Sequence, residues 1–111
     1  NLDKLLKINS LKKLGLLIDI GNIRANGYDI EEYLKKFPNK IFGVHIKYRD
    51  RFFGKSKILP KNFYELNILK KNLVKLKELN DFTFQTYRSQ KNFIADMKKT
   101  IKNFNAIFSK K

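Results

Sequence analysis

The sequence predicts an α/β fold made of parallel βα repeats, on three observations. Short apolar runs alternate with stretches whose apolar residues recur at helical spacing. The runs are too brief for buried helices and are apolar on both faces, as in parallel strands. Each run also ends on a polar side chain: Asp19, His45 or Gln85.

Taken in order, Leu2, Leu5, Leu6 and Asn9 follow helical spacing, so residues ~2–9 read as the end of a helix. Leu14–Asp19 reads as the first strand, closed by Gly21-Asn22. Asn26-Gly27-Tyr28-Asp29 is a turn, and Asp29 followed by Glu32 marks a helix start of capping-box type. Ile30, Tyr33, Leu34 and Phe37 give that helix one apolar face, and Pro38-Asn39 stops it. Ile41–Ile46 is the second strand. A basic loop follows from Lys47 to Lys61, with Gly54 and Pro60 inside it. Phe63, Leu66, Leu69, Leu73, Leu76 and Leu79 predict a long amphipathic helix. Asp81 opens a third strand, Phe82–Tyr87, and Phe93, Met97, Ile101, Phe104 and Phe108 form the apolar stripe of a final helix.

Parallel strands joined through helices follow right-handed crossovers, and ligands bind at their carboxyl ends. Asp19, His45 and Gln85 would therefore share one region. The two-residue strand period puts Leu17 and Gly15 on the face of Asp19, Gly43, Lys47 and Arg49 on that of His45, and Thr83 and Tyr87 on that of Gln85. The opposite face would carry Leu16 and Ile18, then Phe42, Val44 and Ile46, then Phe82 and Phe84, against helices. The first set is small or polar, which suits the interior of a closed barrel. An aspartate and a histidine at equivalent positions are competent ligands for Mn, Co, Zn, Fe or Mg ions.

Composition bounds the alternatives. A hydrophobic fraction of 42% over 111 residues is that of one globular domain, not a disordered chain. Without cysteine there is neither a disulfide framework nor a thiolate metal site. A reducing, cytoplasmic setting is expected. No apolar run reaches the ~18–20 residues of a membrane span, and Asn1-Leu2-Asp3-Lys4 is not a signal peptide. No membrane partner is expected. The net charge of +15 admits a polyanion partner. However, the lysines are spread along the chain, and Lys, Asn, Ile and Phe, all with AT-rich codons, make up about half of it. A nucleic-acid partner is not expected.

The stretch Ile18-Asp19-Ile20-Gly21-Asn22, then Asn26-Gly27-Tyr28-Asp29, then Val44-His45-Ile46-Lys47 with Arg49-Asp50, resembles the sugar-phosphate isomerase/epimerase superfamily of xylose isomerase-like barrels. The resemblance covers nearly all of the chain from Leu14 onward. It implies that residues 1–111 form the C-terminal portion, the last three units, of a (β/α)8 TIM barrel. It further implies a divalent metal ion held by a Glu on an earlier strand, by Asp19, by His45, and at a last-strand Glu position occupied here by Gln85. Asn22, Lys47, Arg49 and Arg88 would then contact a sugar or sugar phosphate. The implied reaction belongs to carbohydrate metabolism: a metal-assisted proton transfer next to a carbonyl, with Asp19 and His45 as ligands. Two departures matter. Gln85 offers a carbonyl oxygen but cannot take up a proton near neutral pH, so no catalytic base is identified. The loop Lys57–Asn62 lacks the Gly-Glu-Gly-like turn common in the family. On this reading the chain is a fragment contributing part of a site and is not active alone.

Three rival readings stand beside it. A non-catalytic remnant or half-barrel subunit would pair with the remainder of a barrel or with a second copy of itself. An endonuclease IV-like nuclease fits Asn26-Gly27-Tyr28-Asp29 and the basic charge, but needs more histidines than the one present. A basic nucleic-acid-binding module would need exposed aromatics for stacking.

Overall fold

The structure is a computed structural model of the chain and describes residues 15–85 and 93–109. Strand β1 (Leu16–Asp19) leads directly into a short helix α1 (Ile20–Ala25), and after a turn comes α2 (Ile30–Lys36). Strand β2 (Ile41–Ile46) is followed by two short strands, β3 (Tyr48–Arg49) and β4 (Ser56–Lys57). Helix α3 (Tyr64–Asn72) runs into a 3-10 turn at Leu73–Lys75. Strand β5 (Asp81–Phe84) and helix α4 (Phe93–Ser109) complete the order.

The alternation of parallel strands and helices is as expected, but the barrel is not. The main sheet has three parallel strands in the order β1-β2-β5, and β3 and β4 form a separate two-stranded antiparallel ribbon. The expectation of the last three units of a (β/α)8 barrel, and with it the half-barrel, is therefore corrected. The described residues form a small α/β unit with an open parallel sheet, an antiparallel ribbon and four helices. Barrel closure needs a sheet whose tilted strands curl until the two edges meet, and among the described residues β1 and β5 are edges. The face of small and polar residues also misled. Leu17 is 56% exposed and Thr83 is exposed, so that side of the sheet meets solvent instead of a packed interior.

The other face makes the core. Ile18, Val44 and Ile46 are buried from the sheet, and Leu66 and Leu69 from α3. Ile20, Ile30 and Leu34 complete it from α1 and α2. Each such side chain stabilises the fold by about 1.5–3 kcal/mol. On β5, Phe82 and Phe84 pack edge-on against Phe104 of α4, with Phe104 stacked on Phe108 at 4.5 Å between centroids.

Local chemistry sets the element ends. Asp29 caps α2 as expected, accepting a hydrogen bond from the Glu31 amide at 2.9 Å. Helix α3 stops well before Leu79. The Asn72 side chain donates to the Ile68 carbonyl at 2.8 Å, a local bond that competes with continuation of the helix. Leu76 is still buried, so the apolar spacing past Asn72 reports burial in a turn and not helix. On α4, Phe93 and Ile101 are exposed while Thr100, Asn103 and Ile107 are buried. The two polar residues serve Leu59, a buried loop residue: its N–H donates to Thr100 Oγ1 at 3.3 Å and its C=O accepts from Asn103 Nδ2 at 2.8 Å. The expected helix at residues ~2–9 lies outside the described residues, as do Thr86 and Tyr87 of the expected third strand.

Candidate functional site

The carboxyl ends of β1 and β2 hold most of the residues singled out in the sequence. Asp19 and His45 are register partners on neighbouring parallel strands, so they share one face at the inter-strand spacing of about 4.8 Å. Both are half-buried. His45 is paired on its other side with Thr83. Gln85 lies two residues further along, roughly 6–7 Å past that row, exposed, with its amide bonded to the Ile46 carbonyl at 3.0 Å. The structure thus brings Asp19 and His45 together and sets Gln85 beyond them. Arg88 lies outside the described residues.

Asp19 has a local task as well. As the N-cap of α1 it accepts a hydrogen bond from the Asn22 amide at 2.9 Å through Oδ1. Its Oδ2 faces Lys47 Nζ at 3.3 Å, in a pair whose side chains are each mostly covered. The Asn22 side chain accepts from Arg49 Nη1 at 2.7 Å, and Arg49 Nε donates to the Gly54 carbonyl at 2.8 Å. A continuous polar chain therefore runs from Lys47 through Asp19 and Asn22 to Arg49 and the β3–β4 ribbon. Gly21 makes it possible. A Cβ there would lie 2.6 Å from the Lys47 carbonyl oxygen, so any larger residue would push the first turn of α1 off the end of β2.

The metal implied by the resemblance does not fit these residues alone. Among the described residues no group of three or more His, Cys, Asp and Glu side chains is placed to hold an ion. Asp19 and His45 offer two donor side chains, and both Asp19 oxygens are engaged within the protein. A structural divalent site takes about four donors or more.

A second polar cluster escaped the sequence reading. Arg24 of α1 donates through Nη1 to Glu65 of α3, at 3.0 and 3.3 Å to the two carboxylate oxygens, and through Nη2 to the Tyr48 hydroxyl at 3.4 Å. Its guanidinium also stands 5.2 Å from the Tyr48 ring centroid. Burial opposes the charge of Arg24, but the hydrogen bond and attraction of Glu65 outweigh it and hold the pKa above its ordinary value. No motif could flag this pair, because α1 itself was not foreseen. In the ribbon, Lys57 bonds to the exposed carboxylate of Asp50. That bond draws the Asp50 pKa down and the Lys57 pKa up.

No helix among the described residues is long and apolar enough to cross a membrane. Compared with protein-family models, curated proteins and solved structures, the chain matches none of them.

Proposed function

We propose that this chain contributes the substrate-binding end of a sugar or sugar-phosphate isomerase or epimerase. The observation that carries the reading is the polar chain Lys47–Asp19–Asn22–Arg49 at the carboxyl ends of β1 and β2, with His45 beside Asp19. Carboxyl ends of parallel strands are the usual place for ligands in α/β folds, although the sequential order β1-β2-β5 has no switch point among the described residues. The motifs around Asp19, Asn22, His45 and Lys47 that resemble the isomerase superfamily all fall on it.

Its residues have separable tasks. Lys47 and Arg49 supply cationic donors for a phosphate or for sugar oxygens, and Arg49 presents a planar fork with donors to spare beyond the two used internally. Asn22 and Asp19 hold those cations in place. A divalent ion belongs to this reading only with donors beyond the described residues.

The test is calorimetric titration of the chain with a phosphorylated ketose and with the same ketose unphosphorylated. Charge-assisted hydrogen bonds contribute ~1.5–3 kcal/mol each, so the phosphorylated sugar is expected to bind at least about tenfold more tightly. Lys47→Met is expected to abolish most of that preference. Equal affinity for the two sugars, or a preference untouched by Lys47→Met, would reject the reading in favour of a non-catalytic remnant.

A further inference from the structure

We propose that the Phe52-Phe53 tip of the β3–β4 ribbon docks onto an anionic lipid surface. This inference is independent of the proposed activity and concerns the far end of the ribbon.

The first argument is conformational. Phe52 and Phe53 have φ of 61° and 60°, the left-handed region that bulky residues rarely adopt and where Asn, Asp and Gly are favoured. Strained aromatic residues are ordinarily held by packing, yet these two are 85% and 75% exposed. Backbone hydrogen bonds hold the turn in this conformation, but the two rings gain no burial from it.

The second argument is rigidity. The Phe53 amide donates to the Ala25 carbonyl at 2.7 Å, and the Gly54 amide to the Asp50 carbonyl at 3.2 Å. Arg49 holds the Gly54 carbonyl, and Lys57 pairs with Asp50 across the ribbon. The backbone that carries the two rings is thus fixed, so little main-chain ordering is left to be done on contact.

The third argument is charge. Arg51 and Lys55 flank the rings, and both are exposed. With +15 on each chain, a second copy would be repelled. An acidic partner is favoured, and the shape of the tip selects its class. Single-stranded nucleic acid needs a basic groove that tracks its phosphates. The concave surface beside Arg51 is instead lined by Asp29 and Glu65 with Tyr28 and Tyr64. A lipid surface needs only a protruding apolar tip to enter the headgroup region and cations beside it to meet anionic lipids. Such a contact requires no spanning segment.

The test is co-sedimentation at about 0.15 M salt with vesicles of pure phosphatidylcholine and with vesicles containing about one-third phosphatidylserine. The chain is expected to partition into the anionic vesicles at least about tenfold more strongly than into the neutral ones. The double substitution Phe52→Asn with Phe53→Asn should lower anionic binding about tenfold. Because Asn accepts positive φ, the melting temperature of that variant should hold or rise, which separates lost docking from lost folding. Arg51→Ser with Lys55→Ser should reduce the preference for anionic vesicles. The proposal is overturned by absence of vesicle binding, by equal binding to both vesicle types, or by undiminished binding of the Asn variant. Phe-dependent binding to a single-stranded oligonucleotide without vesicle binding also overturns it.

Discussion

Replacing Glu65 with Ala is expected to cost about 3 kcal/mol or more of unfolding free energy, measured by urea titration. Glu65 is 2% exposed and accepts from Arg24 Nη1 through both carboxylate oxygens. Removing the carboxylate would leave a guanidinium held between α1 and α3 with Tyr48 as its remaining polar contact, and Arg24 Nε is already buried without a hydrogen-bond partner. An arginine cannot shed its proton to escape that cost. The Arg24 side chain retains 18% exposure, so water screens part of the penalty and the lower end of the 3–5 kcal/mol range for broken buried pairs applies. Changing both residues, Arg24→Met with Glu65→Leu, should be nearly neutral, because the desolvation cost disappears together with the attraction. A loss below about 1 kcal/mol for the single change would mean that water already reaches the pair.

Phe63→Ala should cost about 3–5 kcal/mol, read as a drop in melting temperature. Phe63 is 1% exposed and meets the Tyr48 ring edge-on at 5.0 Å between centroids. It occupies the N-cap position of α3 but makes no side-chain capping bond there. The residue at that position is used for packing, and it supports the same Tyr48 that lies against Arg24. Phe63→Leu keeps most of the volume and should cost less than about 1.5 kcal/mol. Small domains unfold at only 5–15 kcal/mol, so either alanine substitution removes a large share of the margin.

Strand identity was legible because it depends on runs of neighbouring residues. Ile41–Ile46 is the second strand as read, and Asp29 starts its helix as read. Longer-range features were not legible. The final stripe on α4 was legible only in part: Phe104 and Phe108 pack against the core, while Phe93 and Ile101 are exposed and Thr100 and Asn103 are buried for their hydrogen bonds, which apolar spacing cannot register. Helix α1 spans Ile20–Ala25, less than two turns, too short for a periodic signal. The ribbon at Tyr48–Lys57 looked like a basic loop because its two paired segments are short and polar. At the candidate site, the placement of Asp19 and His45 followed from counting residues along their strands. The offset of Gln85 did not, because register between strands depends on how each strand enters the sheet. Nothing in the sequence distinguishes Glu65, at the start of α3, from a solvated acid in a helix first turn.

The bonds that Thr100 and Asn103 make to Leu59 tie two stretches more than forty residues apart to one backbone unit. Neither the Leu59 amide nor its carbonyl can be reached by water while α4 is seated, and both lose their partner if it lifts. Opening of the helix and of the loop is thus a single cooperative event. Deuterium should enter the Leu59 amide and the central amides of α4 at one common rate under native conditions, a correlation that mass spectrometry of exchanged peptides would reveal.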